Sequence, residues 1–151
     1  MDAQYTAKFL SDIDRAVSSH HVPDDNRRVL RGVYDALIRG EFDRFGEMLT
    51  DDAELEIIGA GPMDGRWKGR AAVIAAARAN FAQVGQQKPE IESVISHGDC
   101  AALLFREQGI VQGDGRSYRV RATQWFRFAG GKVRRIDEIV AAEIGEPPFT
   151  A

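Results

Sequence analysis

The sequence predicts an α+β fold, because helical and strand periodicities occupy different parts of the chain. Up to residue 49, apolar residues recur at intervals of three and four, as in amphipathic helices. Between residues 90 and 143 they alternate with polar residues, as in half-buried strands. The length of 151 residues and the 44% content of hydrophobic residues suit one main domain with a sizeable core.

The first predicted helix covers residues 2 to 19. Its apolar residues at helical spacing are Tyr5, Phe9, Ile13 and Ala16. The stretch "SSHHVPDDN" then interrupts the helix with a proline and several residues that favour helix N-termini. We therefore expect residues 1–22 to form an appended helix and linker, and residues 23–151 to form a single domain.

A second and a third helix are predicted after the linker. The second ends near Gly40, since glycine commonly terminates helices. Its apolar stripe consists of Leu30, Val33, Tyr34, Leu37 and Ile38. The third is short and spans "EFDRFGEML". The segment "DDAELEII" then changes to a period of two, which indicates a strand with Leu55 and Ile57 on one face.

A turn-rich loop, "GAGPMDGRWKG", follows this strand and presents Trp67. The next helix is indicated by apolar residues at Val73, Ile74, Ala77, Phe81 and Val84. We expect this helix to end at Gly85. Three long strands between Glu90 and Glu143 then complete the chain as an antiparallel meander.

The dipeptide Asp114-Gly115 predicts a two-residue type I′ turn, because both central positions of that turn need positive φ. The resulting register pairs Phe105 with Gln124 and Glu107 with Ala122. This face of the meander is otherwise apolar, so we expect it to pack against the helices. Glu107 and Gln124 are therefore polar residues on the core-facing side of the sheet.

The segment "FAGGKV" allows a loop of two or three residues before the last strand. A slip of one residue would turn every side chain of that strand to the other face. With the three-residue loop, Glu107, Ala122 and Glu138 form one row in which the small alanine separates two carboxylates. With the two-residue loop, Asp137 takes the place of Glu138.

The opposite face of the meander pairs Leu104 with Trp125 among several arginines. An apolar pair in such surroundings is typical of a subunit interface, so the sequence predicts a homodimer through this outer face. A nucleic-acid partner is not expected, because no series of stacking aromatic residues accompanies the arginines and the net charge is -3.

Several other classes of protein are excluded by composition. No apolar run is long enough to span a membrane and the residues after Met1 are charged, so we expect a cytoplasmic protein with no membrane partner. Cys100 is the single cysteine, which excludes an intramolecular disulfide and a cysteine-based zinc site. His20, His21 and His97 lack metal-ligand spacing. We therefore expect neither a metal ion nor another cofactor.

The order of elements, with a "G-x-W-x-G" loop that opens a helix and a meander ending in "FRFAGGKVRRI", resembles the nuclear transport factor 2-like fold. The resemblance covers about residues 26 to 143 and extends notably to the SnoaL-like and limonene-epoxide-hydrolase-like branches. It implies a cone-shaped α+β barrel, in which a curved, mostly antiparallel sheet wraps around N-terminal helices and encloses a pocket. It also implies dimerisation through the outer sheet face.

Comparison with ketosteroid isomerases, another branch of this superfamily, is informative at three positions. The resemblance places Ile57 at the catalytic base and Gln124 at the carboxylic acid of the oxyanion site. The oxyanion tyrosine of those enzymes aligns with Val33, whose neighbour is Tyr34. A polarising amide thus remains without a base at the expected place, and isomerisation by that mechanism is not implied.

Comparison with limonene-type epoxide hydrolases rests on a shared "GRSY" segment. It places Glu107 and Glu138 at the two aspartates of that family. The arginine between those aspartates corresponds to Phe105, and the tyrosine and asparagine that hold water correspond to Leu55 and Ile57. The carboxylate pair is therefore implied, but epoxide hydrolysis is not.

We hypothesise that Glu107 and Glu138 are catalytic and that Gln124 orients a carbonyl or hydroxyl group. Burial raises a carboxylate pKa and mutual repulsion keeps one proton on the pair, which yields one acid and one base. The expected pocket walls are Leu55, Ile57, Phe105, Phe126 and Ile136. Trp67 is expected either as a lid over the pocket or as a packing residue. Such a pocket suits a small apolar or carbonyl-bearing molecule and a cofactor-free lyase, isomerase or hydrolase.

Three alternatives stay open at this point. The protein could be a non-catalytic binder of small hydrophobic ligands. It could also be a dimeric interaction module with a filled core and no ligand. Finally, the two glutamates could be structural residues paired with Arg106 or Arg135.

Overall fold

The computed structural model describes residues 3–18 and 24–143. Its helices are α1 (Ala3–Ser18), α2 (Asp24–Arg39), α3 (Phe42–Glu47) and α4 (Arg70–Phe81). Its strands are β1 (Leu49–Ile58), β2 (Gly65–Lys68), β3 (Val84–His97), β4 (Cys100–Val111), β5 (Ser117–Ala129) and β6 (Lys132–Ala142), and a 3₁₀ turn covers Gly61–Met63. His20 and His21 lie outside the described residues.

The strands form one sheet in the order β2-β1-β6-β5-β4-β3. β1 and β6 are parallel, and all other neighbouring pairs are antiparallel. The predicted α+β class and mostly antiparallel sheet are confirmed. The sheet is not closed, because β2 and β3 are its two edges. Within residues 3–18 and 24–143, no helix combines the length and the apolar character that a membrane crossing requires.

The core lies between the helices and one face of the sheet, which we call the inner face. Both layers contribute completely buried side chains: Ile13, Leu30, Val33, Phe45, Val73, Leu103, Phe126 and Val133. Each helix has one apolar side and each strand alternates, so the two apolar surfaces are buried against each other. The outer face of the sheet carries most of its charged residues.

The end of α4 differs from the prediction. Val84 is expected in this helix, but α4 ends at Phe81 and Val84 begins β3. The amide of Gln83 donates to the carbonyl of Asn80, which closes the helix with a turn. Val84 then pairs with Val111 of β4. Strand pairing over a long distance in the chain thus decides the conformation of a residue that also fits the helical period.

β2 is a strand that the sequence does not predict. It consists of four residues inside the turn-rich loop and pairs with β1, with Trp67 opposite Leu55. Four residues next to glycines have too little alternation to indicate a strand on their own. Their pairing with β1 is what makes them one.

The turn between β4 and β5 is longer than predicted. The structure pairs Ile110 with Ser117, and Gly113 and Gly115 both adopt positive φ in the loop between these residues. The register is therefore shifted by two residues, and Glu107 lies opposite Val120 instead of Ala122. A shift of two keeps every side chain on its predicted face, because strand side chains alternate with a period of two.

The turn between β5 and β6 is the two-residue alternative, since Ala129 pairs with Lys132 across Gly130 and Gly131. This loop alone would place Asp137 on the inner face. However, the next pairs are Phe128 with Val133 and Arg127 with Arg135, so Arg134 is an extra residue in β6. This bulge reverses the alternation and turns Glu138 inward.

Glu138 consequently pairs with Gln124 on β5. The predicted row of Glu107, Ala122 and Glu138 is wrong, because both the register of β4 with β5 and the register of β5 with β6 differ from the prediction. Ala122 instead pairs with Phe105 on one side and with Val140 on the other. The two carboxylates thus lie in different rows of the same inner face.

Helix α1 packs against the domain through its apolar stripe. Phe9, Leu10 and Ile13 are buried, and Ile13 is completely inaccessible. The ring of Phe9 meets that of Tyr34 edge to face, with 5.3 Å between the ring centroids. The predicted division of the chain at residue 22 stays a prediction, and this contact makes it testable.

We expect Ile13→Ala to lower the free energy of unfolding by about 3 kcal/mol, because it leaves a cavity under a completely buried side chain. Urea denaturation followed by circular dichroism would measure this. The control is Ser11→Ala, an exposed position on the same helix. A cost below about 1 kcal/mol for Ile13→Ala would show that α1 contributes little to the domain.

Candidate functional site

A cavity of about 150 Å³ lies between the helices and the inner face of the sheet. Its lining includes all five predicted wall residues, namely Leu55, Ile57, Phe105, Phe126 and Ile136. Its polar lining residues are Tyr34, Asn80, Gln87, Glu107, Gln124 and Glu138. The structure therefore brings the three polar residues singled out from the sequence, Glu107, Gln124 and Glu138, into one cavity.

Gln124 links Glu138 to helix α2. Its Nε2 donates a hydrogen bond to Glu138 Oε2 over 2.8 Å, and its Oε1 accepts one from the Tyr34 hydroxyl. The amide is thus engaged at both ends. Gln124 fixes the orientation of Glu138, and the row that pairs the two residues across β5 and β6 makes this contact possible.

Glu107 is held by two donors. The Tyr118 hydroxyl donates to Glu107 Oε1 over 2.5 Å, and Gln87 Nε2 reaches the same oxygen at 3.4 Å. Tyr118 is buried and lies opposite Gly109. A Cβ at Gly109 would lie 2.8 Å from the Tyr118 hydroxyl oxygen, so only glycine leaves room for this tyrosine.

An irregularity in β3 accompanies the contact of Gln87. Gly85 pairs with Ile110 and Lys88 pairs with Gln108, so two residues of β3 lie opposite a single residue of β4. Gln86 has a φ of 51°, an uncommon value for a residue other than glycine. The bulge takes the place of regular pairing at the point where Gln87 reaches Glu107.

Burial makes both carboxyl groups hard to ionise. It raises the pKa of Glu138 to about 7, opposed by the hydrogen bond from Gln124 and reinforced by the charge of Glu107. Burial also raises the pKa of Glu107, while hydrogen bonds from Tyr118 and Gln87 oppose the increase. Because Glu107 accepts from two donors and Glu138 from one, the proton of the pair resides mainly on Glu138 near neutral pH.

The two tyrosines of the site keep their protons. Burial raises the pKa of Tyr34 well above its ordinary value, and the charges of Glu138 and Glu107 add to this effect. Burial and the charge of Glu107 raise the pKa of Tyr118 likewise. Both hydroxyls therefore act as hydrogen-bond donors over the whole range of physiological pH.

One oxygen of each carboxyl group accepts no hydrogen bond from the described residues. Glu107 Oε2 and Glu138 Oε1 have no hydrogen-bond partner among the residues that the structure describes. Since both residues line the cavity, these two oxygens can meet a bound molecule. Of the two carboxyl groups, Glu138 is the one that is protonated more readily.

No arginine braces these glutamates in the part of the chain that the structure describes. Arg106 pairs with Glu92 at 2.5 Å and with Glu143 at 3.5 Å. Arg135 pairs with Glu54 at 2.7 Å, with Glu56 at 3.0 Å and with Asp137 at 2.7 Å. Both arginines are occupied on the outer face, so the brace that the sequence allowed is not formed.

Trp67 does not line the cavity, and of the two roles that the sequence allowed, a lid or a packing residue, the structure shows the packing contact. β2 pairs with β1 at the edge of the sheet, with Trp67 opposite the inward-facing Leu55, and the half-buried indole packs against the hydrophobic core. The indole lies over Gly65, where a Cβ would come within 2.7 Å of the ring. Trp67 packs at the sheet edge because β2 is a strand and not a mobile loop.

Four residues of the site are not identified from the sequence: Tyr34, Asn80, Gln87 and Tyr118. Tyr34 is part of an apolar helical stripe, where a tyrosine is most often a core residue. Asn80 is in the last turn of α4, and its Nδ2 is buried without a hydrogen-bond partner within the described residues. The glycine across from Tyr118 is the one sequence feature that indicates its contact, and only once the register is known.

Metal binding has no support from side-chain clustering. Among residues 3–18 and 24–143, no group of three or more His, Cys, Asp or Glu side chains is arranged to hold a metal ion. The arrangement that is present can hold and move a proton.

The chain matches the family model of the SnoaL-like domain over residues 30–136. This protein belongs to the SnoaL-like family. No curated protein matches it. The nuclear transport factor 2-like resemblance inferred from the sequence is thereby confirmed, and this superfamily includes cyclases, isomerases and epoxide hydrolases.

Solved structures share the fold of this SnoaL-like protein at low sequence identity. A nuclear transport factor 2-like protein of Burkholderia xenovorans is 19% identical, with a TM-score of 0.68 over 78% of this chain and 89% of its own. A protein of Jannaschia named as a SnoaL-like polyketide cyclase is 18% identical, with a TM-score of 0.69 over 80% and 89%. An LEH-like epoxide hydrolase of M. tuberculosis is 17% identical, with a TM-score of 0.62 over 78% and 83%. At these identities the likeness concerns the fold alone.

The raised pKa of Glu138 predicts a pH-dependent stability for this SnoaL-like protein. A carboxyl group whose folded-state pKa exceeds its ordinary 4.5 makes the folded state bind more protons, so stability falls as pH rises from 4.5 through about 7. The loss due to Glu138 is at most about 3 kcal/mol. We expect Glu138→Gln to remove this part of the pH dependence in urea titrations between pH 4.5 and 8.

Asp137→Asn makes the same chemical change one residue away, on the outer face, and should retain the wild-type pH dependence. Equal slopes for Glu138→Gln and the wild-type protein would show that Glu138 is not buried as an acid.

Proposed function

We propose that this protein is an enzyme that moves a proton on a small, largely apolar molecule bearing a carbonyl or hydroxyl group, without a cofactor. The observation that carries the proposal is the pair of half-buried carboxyl groups that line one cavity, each with one oxygen held by the protein and one left for a ligand. The corresponding reaction classes are isomerisation, cyclisation, dehydration and water addition. All of them need an acid and a base on the same substrate.

The two glutamates have different roles, base and acid, because their surroundings differ. Glu107, kept ionised by Tyr118 and Gln87, removes a proton from the substrate. Glu138, which holds the proton of the pair near pH 7, donates it to the oxygen of the substrate. Gln124 and Tyr34 position Glu138, so that its acidic oxygen faces the cavity.

The size and lining of the cavity restrict the substrate. A volume of about 150 Å³ is close to that of an engineered protein cavity that binds benzene, so a molecule with one ring or its equivalent fits. The apolar walls favour a hydrophobic body for this molecule. Asn80 offers an amide donor to a polar substituent at the end of α4.

A second candidate function is non-catalytic binding of a small hydrophobic ligand. It is favoured by the apolar side chains of Leu55, Ile57 and Phe105, which line the cavity at positions where related enzymes carry polar groups. In this case the glutamates would contribute to ligand selectivity and not to turnover. The two functions differ in whether a bound carbonyl compound exchanges protons.

Proton exchange on a simple ketone tests the catalytic proposal. We expect the wild-type protein to accelerate exchange of the α-hydrogens of cyclopentanone with D₂O, followed by proton NMR. Glu107→Gln and Glu138→Gln should each lower the rate by about 100-fold, the usual contribution of an acid or base catalyst. The pH profile should be bell-shaped, with a descending limb near pH 7 as Glu138 ionises.

The matched control is Asp137→Asn, which should exchange at the wild-type rate. If cyclopentanone binds but its exchange is unaffected by the protein or by either glutamate substitution, the second candidate function is correct.

We also propose that the outer face of the sheet forms a homodimer. Four large apolar side chains are about half exposed there: Ile58 at 51%, Ile95 at 49%, Trp125 at 45% and Ile139 at 50%. Ile58 pairs with Ile139 on neighbouring strands, and Ala102 lies between Ile95 and Trp125. These residues form a strip across the sheet, and Leu104 lies within it. The predicted pairing of Leu104 with Trp125 is wrong, because Leu104 pairs with Thr123 and Trp125 with Ala102.

Light scattering at micromolar concentration tests the dimer. We expect the wild-type protein to be dimeric and Trp125→Glu to be monomeric, because a charge in a closed apolar contact loses its hydration. Ala75→Glu introduces the same charge at an exposed position on α4 and should leave the dimer intact. A monomeric wild-type protein, or a dimer that tolerates Trp125→Glu, would contradict the proposal.

A further inference from the structure

The chargeable groups that line the cavity are all acidic. Among its lining residues the groups that can carry a charge near neutral pH are Glu107 and Glu138, and no lysine, arginine or histidine of the described chain lines it. With one proton shared between the two glutamates, the pair keeps a net negative charge inside an apolar enclosure. This charge has no cationic partner in the part of the chain that the structure describes.

The walls of the cavity are rich in aromatic rings. The rings come from Phe9, Tyr34, Phe45, Phe81, Phe105 and Phe126. The faces of such rings attract cations, because the ring quadrupole is negative at its face, and the attraction is strongest where water is excluded. Aromatic surroundings and an uncompensated carboxylate are the two features by which proteins recognise alkylated ammonium groups.

We propose that the ligand of this cavity carries a compact alkylammonium cation. The proposal rests on the cavity being a ligand site, as in the proposed function, and adds the charge of the ligand to it. The cation neutralises the negative charge of the glutamate pair while its alkyl groups contact the rings. An anion of the same shape meets the same carboxylate charge and is rejected.

This assignment restricts the substrate more than the cavity volume does. The pair can pass its proton to and from the substrate without a change in its own net charge, so the ammonium group stays neutralised throughout the proton transfer. A neutral ketone of the same size would leave the negative charge uncompensated. Binding is therefore expected to follow ligand charge at constant shape.

Three probes of similar shape separate charge from size: tetramethylammonium chloride, the neutral ketone pinacolone and the anion pivalate. Binding to the wild-type protein is measured at pH 7.5 by proton NMR titration. We expect tetramethylammonium to bind at least ten times more tightly than pinacolone, and pivalate not to bind. Equal or tighter binding of pinacolone would overturn the cation assignment and leave the proposed function intact.

Absence of binding by all three probes would overturn both the cation assignment and the use of the cavity as a ligand site. Glu107→Gln and Glu138→Gln supply a second readout. Each should weaken tetramethylammonium binding at least tenfold and change pinacolone binding by a clearly smaller factor. Asp137→Asn, whose carboxylate is on the outer face, should change neither.

The wild-type protein alone gives a third readout, which does not depend on the folding of any variant. The titratable groups at the cavity are Glu107 on β4 and Glu138 on β6, with Tyr34 on α2 and Tyr118 on β5 hydrogen-bonded to the site. Lowering the pH from 8 to 5 protonates Glu138, whose pKa burial raises to about 7, and leaves the tyrosines protonated. Tetramethylammonium binding should weaken by at least tenfold over this range, whereas pinacolone binding should not weaken. A constant tetramethylammonium affinity would overturn the proposal.

Discussion

The chemistry of the cavity depends on one extra residue in β6. The Gly130-Gly131 turn by itself would send Asp137 to the inner face, and Arg134 reverses the alternation so that Glu138 enters instead. The same bulge lets Val133 and Ile136 both face the core although they are three residues apart. Burial of these two apolar side chains stabilises the bulge, and the position of Glu138 follows from it.

The contact between Gln124 and Glu138 is a direct result of this register. A buried carboxyl group is tolerated only if its lone pairs or its proton find partners, and the amide supplies one donor. The Tyr34 hydroxyl occupies the other end of the amide, so the packing of α2 on the sheet is linked to the orientation of Glu138. Glu107 obtains its donors separately, from Tyr118 and Gln87. The two carboxyl groups are thus both half-buried but not equally stabilised as anions, which is the condition for one acid and one base.

The two faces of the sheet satisfy charge in opposite ways. On the outer face, arginines and carboxylates are mutually paired, as in the cluster of Arg135 with Glu54, Glu56 and Asp137. On the inner face, carboxyl groups are present without arginines, and hydrogen bonds and protonation take the place of ion pairs. Side chains that differ by one position along a strand, such as Asp137 and Glu138, therefore have entirely different environments. A surface ion pair adds little to stability, whereas a carboxyl group removed from water without an ion-pair partner lowers it.

Periodicity along the chain was sufficient for the α+β class and for the face on which each residue of the meander lies. The apolar alternation of β4 and β5 identified Glu107 and Gln124 as inward-facing polar residues. This prediction was correct although the predicted turn was too short, because the register error was two residues and therefore kept each side chain on its face. Predicted neighbours across strands did not survive, since a register depends on the number of residues in each turn and bulge. No local sequence pattern gives the number of residues in a turn or a bulge.

The sequence by itself thus determined the fold family, the inward position of the polar residues and the apolar character of the walls around them. These are properties of single elements, fixed by alternation and by the burial of apolar surface. Only the tertiary structure decided that Glu138 enters in place of Asp137, that Tyr34, Gln87 and Tyr118 supply the donors, and that Trp67 lies outside the cavity. Each of these facts depends on contacts between residues far apart in the chain. The physical reason is that local periodicity permits several strand registers equally, and strand pairing and side-chain packing select one of them.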